Sequence, residues 1–306
     1  MPAIQISEEY SPVLAGLYFF AIMSKEMGIV YRDNKDNSMI TSTGNQQMKH
    51  ISLLLKKAKV RNEEGIFVVE GRKMFAEAPR DWVRGIYVSE TFLKEPEHKK
   101  ILEGREYEVV ADSVLKSVSD TQTPQGILCL VKKPEYRLED LLQKEQPHLL
   151  ILESIQDPGN LGTMLRTGEG AGITGVVMNR TTVDLFNPKT IRSTMGSIYR
   201  MPFVVTEHLE ETIAELKARQ IAVYAAHLKG TLSYDEPDYR GGTAFLIGNE
   251  GNGLSDEIAD LADTYIKIPM EGKVESLNAA ISASILMYEV NRQRRKEKPC
   301  LGSGKK

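Results

Sequence analysis

From His148 onwards the apolar positions come in blocks rather than alternating residue by residue. The runs "HLLILES", "GVVMN", "FVVT", "IAVYAAH", "TAFLIGN" and "YIKIPM" are nearly continuous apolar stretches of strand length. That pattern predicts parallel strands buried on both faces. Between them, "HLEETIAELKARQ" places Leu209, Ile213 and Leu216 at helical spacing. A long last helix is predicted from about Ser276 to Arg295, with Leu277, Ile281, Ile285 and Tyr288 as its core stripe.

Upstream, from Ile40 to Lys133, the runs are shorter and mixed. "HISLLLKKAKV" reads as one helix with a basic face, and "RKMFAEAP" as a short helix ended by Pro79. "IFVVEG", "GIYVS", "YEVVA" and "GILCLVKK" read as strands. Together they predict a smaller α/β sandwich. Residues 134–147, "PEYRLEDLLQKEQP", are polar and bounded by prolines, which predicts a linker. Near the start, "SPVLAGLYFFAIMS" is apolar but too short to span a bilayer. Its flank carries Glu8 and Glu9 and no basic residue, which does not suit a signal peptide. The expected organisation is an extension over 1–38, a front domain over 39–133, a linker over 134–147, a main domain over 148–298 and a basic tail over 299–306.

Composition adds little until it is read locally. Of the 306 residues, 41% are apolar and 26% charged, a normal soluble profile, and the net charge of -3 gives no overall sign of nucleic-acid binding. From Lys49 to Lys73, however, seven basic residues face three acidic ones, and from Arg292 to Lys306 seven face one. Such patches suit a phosphate backbone as well as a solvated face. Cys129 and Cys300 form no CxxC pair, and His50, His98, His148, His208 and His227 show no metal-ligand spacing. No metal and no membrane anchor are expected, and the cysteine usage fits a reducing cytoplasm.

The candidate chemistry lies in three glycine-bearing loops, each following a strand. "DPGNLGTMLRT" follows the first strand of the main domain, "GNEGNGLSDE" follows "TAFLI", and "PMEGKVESLNAA" follows "YIKI". In an open parallel sheet, ligands sit at the carboxyl ends of strands, so three such loops point to one pocket. The first loop lacks the third glycine of a dinucleotide fingerprint, and no GK[ST] of a phosphate loop is present.

The ordered segments "DPGNLGTMLRTGEGAGITGVV", "NPKTIRSTMGSIYRMPF", "LIGNEGNGLSDE" and "IPMEGKVESLNAAISASILMYE" resemble the motifs of the SpoU (TrmH-type) RNA ribose 2′-O-methyltransferases of the SPOUT superfamily. The resemblance covers about Leu149 to Arg292. More loosely, Ile40 to Lys133, with "FVVEG" and "TPQGILCLV", resembles an L30e-like RNA substrate-binding domain. The implied fold is α/β: a knotted (trefoil), mostly parallel-sheet SPOUT domain preceded by the smaller L30e-like domain. The implied cofactor is S-adenosylmethionine and the implied assembly a homodimer, with the last helix at the seam and the acceptor site drawing on both subunits.

Matched position by position, the resemblance assigns Gly248, Ile268 and Leu277, with the backbone near Leu254 and Met270, to the cofactor. Without it, the two aliphatic side chains of the first three would read as strand core. It assigns Arg166, Asn160, Glu250, Ser276 and Asn278 to the acceptor ribose. In the family, Arg166 takes part in deprotonating the 2′-hydroxyl with help from a phosphate. A side chain whose pKa lies above about 12 suits a phosphate clamp better. Asn278 could equally cap the last helix. Arg192 and Ser193 are expected at the RNA backbone or the dimer seam, and Lys56, Lys57 and Arg61 as RNA contacts of the front domain. The front domain favours ribosomal RNA as substrate. A transfer RNA methyltransferase and a non-catalytic RNA-binding or ribosome-assembly protein remain the alternatives.

Overall fold

The structure is a computed structural model in which residues 39–297 are described; residues 1–38 and the basic tail fall outside them. The front part holds a four-stranded sheet of β1 (Ile66–Glu70), β2 (Val83–Ser89), β3 (Glu108–Val110) and β4 (Ile127–Lys132) in the order β1-β4-β2-β3. β4 pairs antiparallel with β1 and β2, and β3 lies parallel to β2. The main part holds seven strands, β5 (His148–Leu152), β6 (Gly175–Asn179), β7 (Phe203–Thr206), β8 (Ala222–Ala226), β9 (Leu232–Ser233), β10 (Thr243–Ile247) and β11 (Thr264–Lys267). Their order is β7-β6-β5-β10-β8-β11-β9, and every neighbouring pair is parallel.

The apolar runs explain this layout. β5 and β10 are buried at all five positions, as central strands covered on both faces must be. From β5 the chain proceeds outward through β6 to β7, whereas β8, β11 and β9 lie beyond β10 on the other side. The order therefore reverses between β5 and β10, and a crevice opens at their carboxyl ends.

The two parts share a core instead of hanging on a flexible tether. One face of the front sheet packs against the Gln46–Lys56 helix through Met48, Ile51 and Leu54. The other face, with Phe67 and Val131, joins the core that contains Phe186 and Phe203. The rings of Phe67 and Phe186 are 4.8 Å apart, and Tyr199 Oη donates to Met74 O at 2.9 Å. The segment read as a linker is a packed strap. It carries a short helix, Leu138–Leu141, and Leu141 is fully buried against Gly175, where a Cβ would come within 2.2 Å of Leu141 Cγ.

Arg61 requires a correction. The "HISLLLKKAKV" helix breaks at Lys57, which is extended (φ -121, ψ 105), and resumes over Ala58–Glu64. The break leaves carbonyls near the end of the first helix without helical donors. Arg61 turns inward, is only 3% exposed, and donates to Leu54 O, Leu55 O and the Asp184 carboxylate. It fastens the front domain to the main one and is not open to RNA. Lys56 and Lys57 remain exposed. Arg192 and Ser193 are likewise engaged: Arg192 pairs with Asp120 of the front domain at 2.6 Å. Ser193 donates to Lys189 O and lies under Gly162, where a Cβ would be 2.4 Å from Ser193 Cβ. Both side chains remain part-exposed.

The last helix spans Ala279–Glu297. Its buried face is Ala280, Ala283, Leu286, Met287 and Val290. Of the stripe expected in the core, Ile281 (49%) and Tyr288 (48%) are exposed. The small alanines set the inward face because the helix packs closely on the Pro158–Ala171 helix, where Gly168 meets Met287.

Candidate functional site

The loop after β5 enters the Pro158–Ala171 helix with Asp157 as its cap: the Asp157 side chain accepts from Asn160 N at 2.9 Å, and Pro158 opens the helix. Burial works against ionisation of Asp157, but the Asn160 amide and Lys189 outweigh it and hold its pKa below the usual range. Lys189 Nζ lies 3.2 Å from the Asp157 carboxylate.

The loop after β10 folds back on itself. Asn249 N donates to Gly253 O at 3.0 Å and Gly253 N to Asn249 O at 2.9 Å. A Cβ on Gly248 would stand 2.1 Å from Leu254 N, so only glycine fits at this crossing. The β5 loop braces the turn. Glu153 accepts from Ser255 N and Oγ at 2.8 and 2.7 Å, and Asn249 Nδ2 donates to Ser154 O at 2.8 Å.

Glu250 ties the loops together. Its carboxylate accepts from Gln156 N (2.9 Å), Asp157 N (3.1 Å) and Asn160 Nδ2 (2.9 Å). Asn160 Oδ1 in turn accepts from Asn278 Nδ2 at 3.0 Å. Asn278 Oδ1 accepts from Ala280 N and Ile281 N, capping the last helix. The two roles weighed for Asn278 are therefore compatible, one for each end of its amide. Burial alone raises Glu250, but the hydrogen bonds from Asn160 and the two amides prevail and hold its carboxyl below the usual carboxylate range. A carboxylate so held is a weak base and a good anchor.

Beside this network lies a cleft of about 300 Å³ between the loops after β8, β10 and β11. Gly248, Ile268, Met270, Leu277 and Ser276 line it, as does Glu250. Leu254 comes to this edge through its backbone only: its N lies against cleft-lining Gly248, next to cleft-lining Gly253, while its side chain is buried (5% exposed) in the core formed with Leu149 and Ile151. Gly253 adopts the positive φ (+72) of the tight turn that brings Leu254 N to Gly248. The sequence reading missed Ala226 and Leu228, which also line the cleft. Their signal was positional, because the end of β8, between β10 and β11, must open on the same crevice.

The cleft suits an adenosine-bearing methyl donor. Aliphatic walls from Ile268 and Leu277 can sandwich a flat base, and the Gly248 backbone permits close approach. Arg166 stands apart. It is six residues beyond Asn160, roughly 9 Å along the helix and about 120° around it. It is exposed, is not among the cleft-lining residues, and has no hydrogen bond or ion pair among the described residues. It lies on the flank of Gly170, where a Cβ would be 3.2 Å from Tyr288 Oη, beside the exposed stripe of the last helix.

Comparison with known proteins agrees with this geometry. Residues 147–288 match the SpoU rRNA Methylase family, and residues 45–129 match an MRM3-like substrate binding domain. The chain is 34% identical to the 23S rRNA (guanosine(2553)-2'-O)-methyltransferase RlmP of Bacillus subtilis (strain 168) over 253 residues, 82% of this chain and 98% of that one. Among solved structures it resembles the SpoU methyltransferase AviRb from Streptomyces viridochromogenes in complex with AdoMet. There the TM-score is 0.75 at 26% identity, covering 82% of this chain and 98% of that one. An AdoMet-bound rRNA methyltransferase from Sinorhizobium meliloti gives 0.71 at 30% identity, covering 83% and 97%.

The Glu250 anchor makes a pH prediction. A carboxyl whose pKa is depressed on folding contributes stability above its unfolded value, about 4.3, and loses it as pH falls through the folded value. Glu250 is exposed, so solvent screens the effect to about 1 kcal/mol, or about 2–4 °C in a domain of this size. Thermal melts of Glu250→Gln should lie below wild type by that amount at pH 7. The gap should close below about pH 4. A gap independent of pH contradicts the anchoring role.

Proposed function

The chain belongs to the SpoU rRNA methylase family and is an S-adenosylmethionine-dependent RNA ribose 2′-O-methyltransferase, and we propose that its substrate is ribosomal RNA, bound and methylated by a homodimer in the cytoplasm. The observation that carries the reading is the Asn160–Glu250–Asn278 network beside the cleft lined by Gly248, Ile268 and Leu277. The two-domain match to an rRNA-modifying relative over nearly its whole length supports ribosomal RNA.

When bound, S-adenosylmethionine supplies an electrophilic methyl on its sulfonium. Gly248, Ile268, Met270 and Leu277 hold it in the cleft. Asn160 and Asn278 are fixed by Glu250 and present amide groups to the acceptor ribose, so that less entropy is lost when the ribose docks. Ser276, exposed at the cleft, offers a hydroxyl to the same sugar. The crossing at Gly248, where a Cβ would stand 2.1 Å from Leu254 N, and the cleft that Gly248 shares with Ile268 and Leu277 support a trefoil knot as the path of the chain.

Arg166 acts as the phosphate clamp. Because it is exposed outside its own cleft, one helical turn from Gly170 at Tyr288, the homodimer brings it to the acceptor ribose in the cleft of the partner. A guanidinium there orients the 2′-hydroxyl and offsets phosphate charge. Arg166→Ala should lower methyl transfer to ribosomal RNA at least ~100-fold, the scale of losing a charge-stabilising donor. S-adenosylmethionine affinity, read by calorimetry, should stay within about twofold, as expected for a group outside the cofactor cleft. Transfer near the wild-type rate would remove Arg166 from the mechanism.

The seam makes a separate prediction. Ile281→Glu places a charge on the exposed stripe and should weaken dimerisation by more than about tenfold, since burying an unpaired carboxylate is costly. Light scattering at micromolar concentration should then show monomer with activity lost in step. A fully active monomer would refute the shared site.

A further inference from the structure

The front domain contains a second groove, of about 400 Å³, lined by Arg72, Glu95, Glu97, His98 and Gln125. It lies outside the lysine helix and far in sequence from the methyl-transfer loops. Its walls are fixed by local bonding. Gly71 (φ +101) and Gly126 (φ +78) make the turns that set its edge. A Cβ on Gly126 would come 2.7 Å from Ser89 Oγ and 3.0 Å from Phe92 Cβ, so the loop lies directly against the Glu90–Lys94 helix. Glu70 accepts from Ser119 Oγ and Thr121 Oγ1 and pins the other end of the loop.

The polar groups have assigned roles. Gln125 Oε1 accepts from Arg72 N at 2.9 Å, which leaves the Gln125 Nε2 amide as the donor at the groove. Arg72 Nη1 can only donate, so His98 Nε2 accepts from it at 2.9 Å. Phe92 O can only accept, so His98 Nδ1–H donates to it at 3.0 Å. His98 is thereby held with Nδ1 as its donor and Nε2 as its acceptor. Its ring stacks on Phe92, with centroids 4.3 Å apart and planes 20° apart. The groove thus has an aromatic platform on a buried aromatic backing, with Arg72 and Gln125 as donors and the Glu95 and Glu97 carboxylates as acceptors.

We infer that this groove takes one unstacked nucleobase of the substrate RNA, which stacks on His98 while Arg72, Gln125 and the carboxylates read its edge. Two carboxylates at the rim disfavour a phosphate and leave the base as the group that fits. A guanidinium donor opposite carboxylate acceptors matches guanine best, which presents O6 and N7 to the first and N–H groups to the second. Splayed bases stacked on aromatic rings are the usual way in which folded RNA is read in sequence. The front domain then selects by base as well as by charge, and the exposed Lys56 and Lys57 supply the less specific part.

This inference rests on the RNA methyltransferase reading, and its test separates the two. Methyl transfer to protein-free ribosomal RNA is measured for wild type, His98→Ala, His98→Phe and Gln125→Glu. Gln125→Glu keeps the acceptor for Arg72 N, replaces the outward donor and sits at an exposed position, so its fold is safe. His98→Ala should raise KM about 5- to 100-fold, the range for losing one stacked base, with kcat and S-adenosylmethionine affinity unchanged. Gln125→Glu should raise KM in the same direction, and His98→Phe should recover most of the loss. Wild-type KM in Gln125→Glu, or equal losses in His98→Phe and His98→Ala, overturns the base site while the enzyme reading stands. If wild type transfers no methyl group, the enzyme reading fails. Filter binding of the same RNA to the same variants then decides the groove: weakened binding in His98→Ala and Gln125→Glu supports it, and unchanged binding refutes it.

Discussion

The Glu250 carboxylate is the constraint on which the site depends. It is a single acceptor shared by two backbone amides of the β5 loop and by the side chain of Asn160. Through Asn160 it reaches Asn278, and through Asn278 the start of the last helix. Three segments distant in sequence, 156–160, the Glu250 loop and the start of the last helix, are thus held together through one exposed side chain. The arrangement is stable because each donor would otherwise be an unpaired group at a helix or loop terminus. It is also preorganised, since the amides we assign to the acceptor ribose are placed before any RNA arrives.

A second set of contacts fixes where the front domain sits. The Asp184–Arg200 stretch presents Asp184 to Arg61, Phe186 to Phe67, Arg192 to Asp120 and Tyr199 to Met74. Its Pro188–Thr194 helix packs against the helix that carries Asn160 and Arg166, and Gly162 allows that approach. One segment therefore borders both the RNA-selecting domain and the catalytic helix. A shared core with a buried arginine at its edge implies that the two parts hold one orientation.

Much of this was legible in the sequence, for identifiable reasons. Strands β5, β6, β8 and β10 announced themselves because parallel strands covered on both faces must be apolar throughout. Asn160, Glu250 and Asn278 were legible because their spacing within ordered motifs is long and specific. Burial of charge was not. Arg61 looked like part of a basic stripe until the break at Lys57 turned it toward Asp184. The face of the last helix was misjudged because alanines, weak signals in a hydrophobic pattern, form its core side, while Ile281 and Tyr288 face outward. Leu254 is expected at the cleft by its backbone alone, and its side chain lies in the core with Leu149 and Ile151 while its N stays at the Gly248 crossing. Arg166 is exposed and lies outside the cleft, which its place in the motif does not reveal.

The central claim is that these loops direct a methyl group to a ribose oxygen. The most direct measurement is alkaline hydrolysis of ribosomal RNA after incubation with the protein and methyl-labelled S-adenosylmethionine. Alkali cleaves RNA through attack by the 2′-hydroxyl, so a 2′-O-methyl group protects the following linkage. The account predicts that the label is recovered in an alkali-resistant dinucleotide carrying a 2′-O-methylribose. Label recovered in mononucleotides with a methylated base would contradict it.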